Sequence, residues 1–322
     1  MRFDICVLRV IALLAIVLHH SSLYLIAPPQ GVSFEPLSVG PVVYHLATST
    51  KIVGLALFTF ISGLLLRLQV ERKPSAPRFA LRKARRLLLP AFFLSALYWL
   101  MFLPGTTFNP LDVCAISHLW YLPFIFMALV FTWYLRPSLT LRGVAVVVGL
   151  LIAVMALRGF GFPYTWSFYI YYPVFIAGYW FNELKNSRLL NWGGYFVLLV
   201  LYFLFASVTM PSPHIYPLLL IAASVLAAGL GARLAARLVR AQPPRFVMML
   251  DRHSFHVYLI HQFVILLVLM YVPLSGPAAA WSIPLFVFAA VASLAISVSW
   301  QKICSLAKNL YLRVSVGTGR AS

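Results

Sequence analysis

The chain has 322 residues, 62% of them hydrophobic and 10% charged, and its mean hydropathy is +0.93. A soluble domain carries about 25% charged residues, so this composition belongs in a bilayer and excludes an ordinary globular enzyme. The net charge of +19, from 25 Lys and Arg against 6 Asp and Glu, would suggest nucleic acid in a soluble protein. In a membrane protein it reflects basic cytoplasmic loops, and no nucleic-acid partner is expected.

The first element is the apolar run at residues 9–20, RVIALLAIVLHH, with Arg9 at its start and His19 and His20 at its end. Arg9 and His20 are eleven positions apart. At about 100° per residue both side chains share one helix face, about 16 Å apart along the axis, and His19 points about 80° away. Ionisable groups inside an apolar span are costly and face a bundle interior or a wet cavity. A snorkelling Arg and an interfacial His pair are the structural alternative.

Further spans near the ~20 residues needed to cross a bilayer follow at 47–68, 87–104, 118–135, 141–158, 164–182, 192–210, 214–236, 254–273 and 281–304, the first being 6–27. Breakers separate them: Pro28-Pro29, Pro104-Gly105, Pro211 with Pro213, Pro243-Pro244 and Gly276-Pro277. Because so many spans follow the first, it reads as retained rather than as a signal peptide. Basic residues fill alternate loops, as at Arg72 and Lys73, at Arg136 and Arg142, at Lys185 and Arg188, and at Arg233, Arg237, Arg240 and Arg245. The other loops are almost bare of them, with Lys51 and Arg158 the exceptions. The expected fold is therefore an all-α polytopic membrane protein of about ten transmembrane helices, with N and C termini cytoplasmic. One membrane-embedded domain over residues 1–322 is expected, with no room for a soluble catalytic domain.

In that orientation Arg9 lies toward the cytoplasm and His20 toward the outer face. His118 and Trp120 open the fourth span at its outer end, within approach of His20. Ser254, Tyr258 and His261 recur at i, i+4 and i+7 as a polar stripe on an apolar helix, where joining helices by hydrogen bonds is the plain alternative role. His253 and His256 fall near the inner interface, and His45 and His214 near the outer surface. The six acids, Asp4, Glu35, Glu71, Asp112, Glu183 and Asp251, are expected at or outside the interfaces. Cys6, Cys114 and Cys304 form neither a disulfide framework nor a metal-spaced pair, and no metal site is expected. Motifs of soluble hydrolases, zinc proteases and P-loops are missing. What remains is a His-centred site, suited to taking a proton from a hydroxyl, with arginines able to clamp phosphates.

Five segments in order resemble the acyltransferase-3 family of integral membrane O-acyltransferases. They are the Arg-x10-His spacing of Arg9 and His20, LFTFISGLLL at residues 57–66 with Ser62-Gly63, RKARRLLLP at 82–90, HLWYL at 118–122, and SFHVYLIH at 254–261. Family members often carry an acid three residues before the Arg, where this chain has Cys6. The resemblance implies transfer of an acyl group, acetyl expected, from cytoplasmic acyl-CoA as donor substrate to a hydroxyl of a sugar or cell-surface glycan, in a bacterial inner membrane. It implies His20 as the base, paired in the motif with Arg9 on the same helix face. It also makes Arg9, Arg82, Arg85 and Arg86 candidates for the CoA phosphates or the donor tunnel, a topogenic basic patch being the alternative at 82–86. By their positions His118, Trp120, Ser254, Tyr258 and His261 are expected on the substrate side. The competing reading is a transporter or flippase for a lipid-linked or acylated saccharide, whose sign would be broken helices and an inverted repeat.

Overall fold

A computed structural model of the chain describes residues 3–70 (without 30, 31, 33 and 39), 75–103, 117–135, 165–181, 228–232 (without 230) and 242–318. Its helices are α1 (Phe3–Ile26), α2 (Pro41–Val70), α3 (Ala76–Phe102), α4 (Tyr121–Leu135, entered by a 3-10 turn at Ser117–Trp120), α5 (Thr165–Tyr179), α6 (Arg245–Tyr271) and α7 (Ala278–Thr318). No strand occurs among the described residues. Six of the helices found there are long and apolar enough to cross a membrane, so the chain is an all-helical, multi-pass membrane protein. Of the expected spans, 141–158, 192–210 and nearly all of 214–236 lie outside the described residues, and 164–182 corresponds to the shorter α5.

Helices extend beyond the expected spans into charged sequence. The α3 helix begins at Ala76, so residues 82–90 form its early turns and Pro90 lies inside it rather than at its mouth. The α6 helix begins at Arg245, nine residues before the expected start. The 41 residues of α7 would run about 60 Å, twice the ~30 Å hydrocarbon core. Helices α3 and α7 keep large apolar side chains on their outer faces, among them Phe93, Leu100, Phe288 and Val291, as a lipid-facing surface requires.

The hub is α1, packed against α2, α6 and α7. Its side chains are buried nearly all round, from Cys6 and Leu8 through Ala12, Leu13, Ile16 and Val17 to Leu25, the mark of a helix enclosed by others. Helices α2 and α5 approach backbone to backbone. A Cβ on Gly63 would collide with the Phe175 carbonyl oxygen, and one on Gly178 with that of Phe60, so glycine is required at both points of this antiparallel crossing. Beyond α1 the chain folds back, Leu37 N donating to Leu25 O at 2.8 Å and Ala278 N to Ser38 O at 3.2 Å. These bonds tie the segment after α1 to the start of α7.

Candidate active site

Helices α1 and α6 run parallel and are tied at two levels. At one end Arg9 Nη2 donates to Asp251 Oδ2 at 2.8 Å, with Nε 2.7 Å from Oδ1. At the other, His20 Nδ1 lies 3.0 Å from His261 Nε2. The ties are eleven residues apart on α1 and ten on α6, which two parallel helices of equal rise can satisfy together. Asp251, an acid expected at or outside an interface, is 4% exposed and buried among the helices. A buried carboxylate without a counter-charge is costly, and the guanidinium supplies that charge with a hydrogen bond to Oδ2. The acid partner of Arg9 thus comes from α6, 242 residues away, while the Cys6 thiol lies beside the same carboxylate and 4.0 Å from Val247 O.

The hydrogen-bond acceptors assign the histidine tautomers. His261 Nδ1 faces two carbonyl oxygens, of Tyr258 at 2.7 Å and Val257 at 3.2 Å. Carbonyls only accept, so Nδ1 carries the proton and the neutral ring presents a lone pair at Nε2. His20 Nδ1–H therefore donates to it, and the lone pair of His20 is on Nε2. His118 repeats the logic: Nε2–H donates to the same Tyr258 carbonyl at 3.1 Å, leaving Nδ1 as the acceptor. Ring centroids of the three histidines lie 5.0 to 5.8 Å apart. The Tyr258 hydroxyl donates to His118 O at 2.7 Å. Gln262, unremarked in the sequence, accepts from His118 N at 3.3 Å and donates to the Tyr24 hydroxyl. By contrast His19 is buried and spends its Nδ1–H on Ala47 O at 2.7 Å.

Two cavities of about 350 Å³ each flank this cluster, with Tyr258 in the wall of both. One opens at the Arg9 end and is basic, lined by Arg9, Lys83, Arg86, Ser254 and Tyr121 among apolar neighbours. Thr59 holds the Tyr121 hydroxyl from α2 at 3.2 Å. The other lies at the His20 end, lined by His19, His20, Tyr24, Lys51, His118 and Trp120.

The structure thus brings His20, His118, Tyr258 and His261 together, with Trp120 at the edge of their cavity. The stripe of α6 is divided: Ser254 serves the Arg9 cavity, Tyr258 both, and His261 supports His20. The basic cluster is divided too. Arg86 lines the Arg9 cavity and lies 5.9 Å from the Phe255 ring centre, while Arg82 and Arg85 are exposed and outside its lining. Lys83 takes their place, at a position the sequence reading passed over. Among the described residues no group of three or more His, Cys, Asp or Glu could hold a metal ion. His253, near the Arg9 end, shares a 2.8 Å hydrogen bond with Ser297 of α7, a bond between helices.

No curated protein and no solved structure matches the chain at a significant level. A family model does: the acyltransferase-3 model, described as an acyltransferase domain, matches residues 3–300. The chain belongs to this acyltransferase family, as its five motifs and the single helix bearing Arg9 and His20 suggested.

Proposed function

We propose that the chain moves an acyl group, acetyl in the simplest case, from cytoplasmic acyl-CoA to a hydroxyl of a sugar or cell-surface glycan at the opposite face of a bacterial inner membrane. The observation that carries this reading is the directed histidine pair. Carbonyls orient His261, His261 orients His20, and the lone pair of His20 Nε2 is left for an acceptor hydroxyl. That nitrogen takes the hydroxyl proton while the oxygen attacks the thioester carbonyl. The C–S bond breaks, and the imidazolium returns the proton to the departing thiolate, giving an ester and free CoA thiol. Imidazole suits both steps because its ordinary pKa lies near the working pH.

The basic cavity supports the donor side. Alternating basic loops put the Arg9 end and both termini in the cytoplasm, where acyl-CoA is found. Arg9, Lys83 and Arg86 offer its phosphates fixed cations. The ~16 Å from Arg9 to His20 is a span that an extended pantetheine arm can bridge, passing Tyr258 in the shared wall. Asp251 keeps Arg9 in place, so the guanidinium meets the donor without reorganising.

The test uses purified full-length protein with acetyl-CoA, following free thiol and product ester. His20→Ala should insert and bind acyl-CoA yet lose at least about 100-fold in transfer rate, the lower bound for losing a general base. His19→Ala should keep most of its activity per folded molecule, since that ring serves a backbone carbonyl. The opposite result would move the base to His19, and two active variants would end the mechanism.

A further inference from the structure

Lys51 is one of two exceptions to the charge pattern, with Arg158, and its place in the fold gives a reason. It sits one turn from Ala47, whose carbonyl accepts from His19, and its side chain lines the cavity at the His20 end. Among the described residues that lining contains no Asp or Glu. Asp251 is engaged by Arg9, at the far end of α1.

The remaining lining has the character of a sugar site. His118 is 3% exposed and its Nδ1 has no hydrogen-bond partner, a buried lone pair left for a hydroxyl donor. Trp120 contributes an aromatic wall, an apolar body against which the C–H face of a sugar ring can pack. The volume of about 350 Å³ lies within the roughly 300–1,000 Å³ of small-molecule sites. A neutral sugar would satisfy the histidines and the indole but leave the ammonium without a counter-charge.

We propose that the cavity at the His20 end is an acceptor subsite for an anionic sugar, whose carboxylate or phosphate pairs with Lys51 while its hydroxyls meet His118 Nδ1 and His20. The assignment rests on the acyl-transfer reading for the role of His20, and on the cavity itself for binding.

Binding is measured without donor, on the full chain in lipid nanodiscs, with three probes: methyl glucuronoside, glucose 6-phosphate and neutral methyl glucoside. At least one anionic probe should bind tenfold or more tighter than the neutral one, and the pair of anions tells a carboxylate from a phosphate. Lys51→Met should bring every probe to the neutral level, and Lys51→Arg should keep the preference. Lys51 is exposed, so both variants should melt as the parent does. Equal binding of the three probes, no binding of any, or a preference that survives in Lys51→Met would overturn the proposal. Acetyl transfer is followed separately. Anion preference with no transfer to any acceptor sinks the acyl-transfer reading and leaves the subsite standing, whereas transfer without anion preference does the reverse.

Discussion

His261 differs from the other histidines in what holds it and in what it holds. It is fully buried, its Nδ1–H is fixed by carbonyls of its own helix, and its Nε2 meets only the ring of His20. In the proposed reaction it touches no substrate and acts by keeping His20 in the tautomer with a free Nε2. A glutamine can still offer His20 Nδ1–H an acceptor oxygen, and a leucine cannot. His261→Leu should therefore lose up to about 100-fold in kcat, the scale of a misplaced catalytic group, with little change in KM for acyl-CoA. His261→Gln should recover a substantial part of the rate. Steady-state kinetics per folded molecule makes the comparison. Two variants equally impaired, with both constants moving together, would mean that the ring only fills space.

At the scale of elements, the site depends on helices held at fixed depth relative to one another. The two polar ties between α1 and α6 set that depth directly. The α2–α5 crossing acts from the other side, because α2 also carries Lys51, Thr59 and Ser62 to the cavities or their walls. Backbone contact at Gly63 leaves no flexible side chain to yield. Gly63→Ala should thus destabilise the protein by about 1–3 kcal/mol, the range for overpacking a filled interface. Gly40→Ala should be close to neutral, since a Cβ there meets nothing within 4 Å. Thermal unfolding in detergent distinguishes them, and equal melting temperatures would show that the crossing can widen. The same crossing explains why Gly63 ends the motif Ser62-Gly63.

At the scale of the whole molecule, the two cavities have use only if they open to opposite sides of the membrane. The basic loops predict that positions 31 and 275 face outward and positions 75 and 242 inward. In a background freed of Cys6, Cys114 and Cys304, a membrane-impermeant thiol reagent should label Gly31→Cys and Ser275→Cys in intact cells. It should label Ser75→Cys and Gln242→Cys only after permeabilisation. The reverse pattern would put the Arg9 cavity on the side without acyl-CoA.

Several features were legible in the sequence because they depend on one segment at a time. Hydropathy marks spans from local composition, the helical period places Arg9 and His20 on one face, and five ordered motifs carry the family. The tertiary structure decided everything that needs two segments. Helical periodicity sets an angle about a helix axis but neither the neighbour at that angle nor its depth. The pairing of Asp251 with Arg9, 242 residues away, therefore appeared only once α6, begun at Arg245, was packed against α1. The stripe Ser254–Tyr258–His261 looked like one surface until two cavities divided it. The histidine tautomers follow from which carbonyls stand opposite each ring, and Lys51 became a candidate ligand only when its neighbours among the described residues proved to include His20 and no acid.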